Sequence, residues 1–290
     1  MTAKKRGRVS RGPALPKIRT IFDSAFRRLV EHFGPQGWWP GDTPEEVLIG
    51  AVLTQNTNWE NVERALANLK GADALSLKAI DRMSAEKLAA LIRPSGYFNL
   101  KAGRLKSVVR FFIGRSGGDL KNLRALTGEA AQRLRAEALE CYGMGPETVD
   151  SILLYALDLP TFVIDAYTMR FLRRHGLLGA KADYAEAQAL FHRAYRRKVG
   201  FYNEFHALFV ALGKAYCRTN PVCAACPLME AECFATKKTF AGMKRAVAET
   251  EAKARDVAEL ASEGIREKAK GREEKKRRRS AGSSQSGSIR

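Results

Sequence analysis

Apolar residues recur along this chain at three- and four-residue spacing, and no segment shows a sustained every-other-residue alternation. Ile18, Ile21, Phe22, Phe26 and Val30 share one face of a helix expected over 18–33. Gly34 to Gly41 is a run of turn formers that carries Trp38, Trp39 and Pro40. Thr43 then reads as an N-cap, with Glu46 three residues on to complete a capping box. Behind it lies the apolar block Val47, Leu48, Ile49, Ala51, Val52, Leu53. Further helices are expected near 59–69, 84–92, 99–115, 127–138, 146–157, 165–174, 183–196 and 202–216. The pattern predicts an all-α fold.

The pattern stops after Cys233. Residues 241–279 are rich in Ala, Lys, Arg and Glu, and 280–290 in Ser and Gly; 241–290 reads as a basic, low-complexity tail. Residues 1–17 read as a basic disordered tail. The net charge is +19, and it is unevenly placed. Residues 1–20 hold seven basic residues and no acid, and 265–290 hold ten basic residues and three acids. The ends therefore carry most of the excess, which points to a polyanionic partner without choosing between DNA and RNA. No apolar run reaches the ~18 residues a membrane span needs, and the basic N-terminus has no apolar stretch of a secretory signal. A cytoplasmic protein is expected, and a monomer, since nothing in the sequence signals oligomerisation. In a reducing compartment the five cysteines are metal ligands or thiols sooner than disulfides.

Four of them lie close together as Cys217-x5-Cys223-x2-Cys226-x6-Cys233, in a loop-like stretch with Pro221 and Pro227. Thiolates at this density select an iron–sulfur cluster or zinc. Zinc sites usually pair two Cys-x2-Cys knuckles. Only one is present, so a four-iron four-sulfur (4Fe-4S) cluster is favoured. Cys141 stands apart and reads as a small core residue.

Two further features are weaker alone. Gly143-Met144-Gly145-Pro146-Glu147-Thr148 separates two expected helices, and Gly-x-Gly permits a tight turn with backbone amides open to an anion. Asp165 follows the apolar run Val163-Ile164 and opens a helix. It reads either as an N-cap or as a carboxylate at the mouth of a cleft.

Taken in order, Leu53-Thr54-Gln55-Asn56-Thr57, Gly96-Tyr97-Phe98-Asn99-Leu100-Lys101-Ala102, Gly143-Met144-Gly145, Asp165 and the four cysteines resemble the endonuclease III superfamily of helix–hairpin–helix DNA glycosylases. The resemblance runs from about 18 to 236. It implies two helical domains flanking a DNA-binding cleft. One is 43–160, with the hairpin at about 134–157; the other is 18–42 plus 161–240, ending in the cluster loop 217–233. It also implies double-stranded DNA containing a damaged base as partner, with Gly143, Gly145 and Thr148 at the DNA backbone and Gln55 or Asn56 filling the gap left by an extruded base.

Within that superfamily the bifunctional members carry a lysine two residues after the second hairpin glycine, where this chain has Glu147. A carboxylate cannot form the Schiff base that lyase chemistry needs, so AP lyase activity is not expected. The adenine-mismatch branch uses a glutamate where this chain has Ala51. The 3-methyladenine branch of endonuclease III type fits better: Trp38-Trp39-Pro40 resembles its motif, and Trp59 sits where it supplies an opposing ring. The resemblance implies that Trp39 and Trp59 sandwich the base and that Lys214 reaches the pocket; a surface lysine is the plainer reading of Lys214. An alkylated purine is already cationic, so it stacks on indole and leaves without a general acid, and Asp165 alone suffices as the catalytic group. Two alternatives stay open: a bifunctional glycosylase and AP lyase acting on oxidised pyrimidines, and an inactive damage-binding protein.

Overall fold

The computed structural model describes residues 14–38, 41–195 and 198–229. Trp39, Pro40, Cys233 and the two low-complexity ends, 1–13 and 241–290, lie outside the described residues. The chain divides into two compact units, Met1–Lys214 and Ala215–Arg290. Among the described residues there are eleven α-helices and no strand, as the periodicity predicts.

The first helix, α1 (Leu15–Phe33), begins three residues before the predicted start, with Pro16 in its first turn. Its buried stripe is Ile18, Phe22, Ala25 and Leu29, while Ile21, Phe26 and Val30 lie half-buried at its margin. In α2 (Pro44–Leu53) every residue from Glu46 onward is buried. Thr43 caps it by accepting the Glu46 amide at 3.1 Å. The capping box is only half made, however. The Glu46 carboxylate accepts from the Asp42 amide (3.1 Å) and from Lys70 Nζ (2.7 Å). The other end of α2 is closed by Lys101, whose buried ammonium donates to Leu53 O (2.8 Å) and Ser95 O (2.7 Å). A cation at the last carbonyls of a helix is favoured by its dipole. Burial, with the nearby Arg104 charge, still lowers this lysine to about 8.

Then follow α3 (Trp59–Gly71), α4 (Leu77–Arg82), α5 (Ala85–Leu91), α6 (Phe98–Ser116) and α7 (Gly128–Leu139). Helix α4 was not expected; six residues are too few to show a period, and its signal is the Ser76 cap on the Ala79 amide. The hairpin turn leads into α8 (Pro146–Ser151), which continues as a π-helical turn over Ile152–Ala156 closed by Leu157 N donating to Ile152 O. An extended segment carries the chain to α9 (Ala166–Arg174), α10 (Tyr184–Ala194) and α11 (Val199–Ala215).

The core under the site is aromatic. Phe162 stacks on Phe191 at 3.6 Å between centroids, Phe191 on Phe22 at 4.4 Å, and Phe205 meets all three edge-on. Each such pair contributes about 0.5–1.5 kcal/mol beyond its buried area. This cluster fixes the extended segment against α1, α10 and α11. Gly213 matters too: a Cβ there would lie 2.1 Å from the Tyr167 ring, so glycine lets the start of α9 rest on α11.

In the second unit the described residues form a loop. Cys217, Cys223 and Cys226 are half-buried. A 3-10 turn at Cys223–Ala225 is closed by Cys226 N donating to Cys223 O at 3.1 Å. Among the described residues no helix is long and apolar enough to cross a membrane.

Candidate active site

A cleft of about 810 Å³ is walled by the end of α2, by Arg104 of α6, by the hairpin and by the first residue of α9. Its lining includes Ala51, Gln55, Asn56, Arg104, Gly143 to Thr148, Ala166 and Tyr184.

The hairpin is built against α6. Gly143 has φ +95°, and a Cβ there would lie 2.6 Å from Arg104 Cβ. Both conformation and space require glycine. Gly145 differs: its φ is −94°, and a Cβ would meet nothing within 4 Å. The positive φ allowed by Gly-x-Gly is therefore used at Gly143 and not at Gly145. Gln55 locks the wall together, donating to Gly143 O (2.8 Å) and Thr148 Oγ1 (3.0 Å) and accepting from Arg104 Nη1 (2.9 Å). Its amide and the buried Thr148 hydroxyl are thus engaged inside the protein. Asn56 is exposed at the rim with φ +53°.

Asp165 serves as the N-cap of α9: its Oδ1 accepts the Thr168 amide at 2.7 Å. It is 9% exposed, directly before cleft-lining Ala166. Oδ2 lies 3.7 Å from His206 Nε2 of α11. Glu147 opens into the cleft from the first turn of α8, and the two carboxylates feel each other. Desolvation by the cleft walls, with the Asp165 charge behind it, raises the Glu147 carboxyl to about 7.

The segment delivering Asp165 is buried and extended, so its backbone groups need partners. Side chains supply them. Gln188 donates to Phe162 O (2.7 Å), His192 Nε2 accepts from Phe162 N (3.1 Å), and Tyr184 Oη accepts from Ile164 N (3.3 Å). Tyr184 and Gln188 also donate to Asp150 at 2.8 and 2.7 Å. Asp150, fully buried, pairs bidentately with Arg135 at 2.6 and 2.8 Å and accepts from Thr161. One carboxylate on α8 therefore ties the hairpin helix to the backbone ahead of Asp165.

The other expected site residues lie elsewhere. Trp59 opens α3 and donates to Glu63 Oε1 of its own helix at 2.9 Å; it does not line the cleft. Lys214 is exposed and places Nζ 5.9 Å from the Trp38 ring centre, not in the cleft wall. Trp39 and Cys233 are outside the described residues. The sequence reading missed Arg104, Asp150, Tyr155, Tyr184, Gln188 and His206. Their one signal is a polar residue on an otherwise apolar helical face, as with His206 among Tyr202, Phe209 and Val210.

Comparison with known proteins places this geometry. The Methanocaldococcus jannaschii protein named "Putative DNA repair glycosylase MJ1434" is 45% identical over 71% of this chain and 92% of its own. The crystal structure of Helicobacter pylori 3-methyladenine DNA glycosylase (MagIII) bound to 1,N6-ethenoadenine is 31% identical, with a TM-score of 0.57 over 68% of this chain and 97% of that one. A non-covalent endonuclease III–DNA complex shares the fold, with a TM-score of 0.64 at 20% identity over 79% of this chain and 99% of that one. Residues 49–197, from α2 through the hairpin and Asp165 to the end of α10, match the family, and the chain belongs to the HhH-GPD superfamily of base excision DNA repair proteins as an endonuclease III-like DNA glycosylase.

Proposed function

We propose that this protein is a monofunctional glycosylase that hydrolyses the N-glycosidic bond of alkylated purines, such as 3-methyladenine, in double-stranded DNA. The observation that carries the reading is Glu147 in the cleft wall with Asp165, directly before cleft-lining Ala166, near enough for its charge to raise Glu147. The position from which bifunctional relatives extend a lysine holds a carboxylate. Ala51, also in the cleft wall, brings no acid of the adenine-mismatch type. The 31% identity to a 3-methyladenine glycosylase supports the same branch.

In this reading the damaged nucleotide leaves the helix and enters the cleft. The C1′–N bond breaks and its electron pair goes to the cationic purine, which departs neutral. Asp165 Oδ2 faces the positive charge that develops on the sugar and orients the water that adds to C1′. That water's proton passes to solvent through the carboxylate. No lysine is needed, and no acid has to protonate the base. The hairpin backbone at Gly143 and Gly145, and the Arg104 guanidinium, meet phosphate. Trp39 stacks on the extruded base; Trp59 joins it only by releasing Glu63. Asn56, exposed and in a left-handed turn, is better placed than Gln55 to enter the duplex.

The spacing of Cys217, Cys223 and Cys226 along one loop, with Cys233 as fourth ligand, suits a 4Fe-4S cluster. Such a cluster would brace the loop that carries Arg218.

The test is release of 3-methyladenine from methylated duplex DNA, assayed with and without alkali. Wild type should release the base and leave the strand intact until alkali is added. Asp165→Asn should lose about 10²–10³-fold in single-turnover rate. No release by wild type, or a borohydride-trapped wild-type adduct, would overturn the assignment.

A further inference from the structure

The second hairpin helix and α11 bring a buried pair to the back of Asp165. Tyr155 Oη hydrogen-bonds His206 Nδ1, and both residues are almost fully enclosed, at 7% and 4% exposure. The opposite ring nitrogen, His206 Nε2, is buried, has no hydrogen-bond partner, and lies 3.7 Å from Asp165 Oδ2. The π-helical turn Ile152–Ala156 is what carries Tyr155. Such turns inside α-helices occur often at functional sites.

The tautomer follows from the partners. Burial, reinforced by the Asp165 charge, holds the Tyr155 phenol well above its ordinary range, so it keeps its proton. Burial also lowers His206, more than Asp165 raises it, so the imidazole carries one N–H at neutral pH. A protonated phenol donates to Nδ1, and the ring proton is then on Nε2, aimed at Oδ2. At 3.7 Å the contact is longer than a hydrogen bond. Catalytic hydrogen bonds are often long before substrate is bound and tighten in the loaded complex. The two Asp165 oxygens thus divide their work: Oδ1 is held by the Thr168 amide, and Oδ2 is left for the sugar.

We propose that His206, oriented by Tyr155, is a positioning residue that holds Asp165 Oδ2 toward the anomeric carbon of the extruded nucleotide. This rests on the reading of Asp165 as the catalytic carboxylate, and it is independent of which base is removed.

The experiment compares binding to two duplexes, one with a cationic pyrrolidine abasic analogue and one with neutral tetrahydrofuran. The affinity ratio reports how well a carboxylate faces positive charge at the sugar. For wild type the ratio should be about tenfold or more. His206→Phe and Tyr155→Phe should bring it to within about threefold while tetrahydrofuran affinity stays within about twofold. His206→Gln, which can accept from Tyr155 and donate to Asp165, should restore most of it. Tyr155→Phe removes one oxygen and keeps the ring, so it decides the matter if His206→Phe fails to fold. An unchanged ratio in the folded variants, or an equal fall for both duplexes, overturns the proposal. So does a wild-type protein that binds both duplexes equally. A collapsed ratio in a protein that releases no methylated base keeps the proposal and removes only the lesion assignment.

Discussion

Replacing Asp150 by asparagine tests the structural argument most directly. The carboxylate receives five donors on two oxygens: Arg135 Nε and Thr161 on Oδ1, and Arg135 Nη2, Tyr184 and Gln188 on Oδ2. An amide must put an NH₂ group where one oxygen was. Placed at Oδ2, it faces three donors, of which only the tyrosine hydroxyl can turn and accept. Placed at Oδ1, it faces the Arg135 Nε–H and the Thr161 hydroxyl, and only the latter can turn. The second choice costs less, yet it gives up a charge-assisted bond, about 1.5–3 kcal/mol. The guanidinium, 30% exposed, also loses its anion. Full removal of one partner from a buried pair costs about 3–5 kcal/mol. Asp150→Asn should therefore cost about 3 kcal/mol. With an m-value of about 2–3 kcal/mol/M that lowers the urea midpoint by about 1–1.5 M. The cycle with Arg135→Met isolates the pair. The double variant should be more stable than the sum of the singles predicts, by at least about 1.5 kcal/mol, because it leaves no unpaired charge. A cost below about 0.5 kcal/mol for Asp150→Asn, or strict additivity in the cycle, would refute the account of Asp150 as the anchor of this network.

Other outcomes follow from the same geometry. Glu147→Lys puts an amine at the cleft beside Asp165, and borohydride should then trap a covalent adduct with abasic DNA that wild type does not form. Glu147, raised to about 7 from an ordinary 4.5, binds its proton more tightly in the folded protein. Its stabilising contribution is therefore full below 4.5 and lost as pH rises through 7. Glu147→Gln should unfold at a higher temperature than wild type above pH 7, with the gap closing toward 4.5; a gap independent of pH would contradict the shift. Gly143→Ala meets both positive φ and the Arg104 side chain and should lose about 2–4 kcal/mol by chemical unfolding. Gly145→Ala, with neither constraint, should stay within about 0.5 kcal/mol of wild type.

The helices were legible because their burial is periodic and their caps are local: Ser84, Asp165 and Thr43 each announce a start. Helix α4 was not, since six residues give no period. Asp165 and the hairpin could be picked out because each combines a backbone signal with a position in a familiar order. Their supports could not. Asp150 and Arg135 are fifteen residues apart, and Tyr155 and His206 fifty-one, so only the packing of α7 on α8, and of the π turn on α11, joins them. The capping box failed for a related reason. Glu46 accepts instead from the Asp42 amide, one residue before the cap, and from Lys70, twenty-four residues away. Lys214 and Trp59 were given their roles by position in a familiar order, and what the structure adds is their neighbours, Trp38 and Glu63.

The π turn at Ile152–Ala156 puts one more residue into the hairpin helix than regular winding would hold. Regular winding advances about 100° per residue, so an extra residue in an unbroken α-helix would rotate whatever follows by that angle. The wider turn absorbs it, and the hairpin and the Tyr155 phenol keep their relation. A second insertion before Leu157 would find no such turn to absorb it.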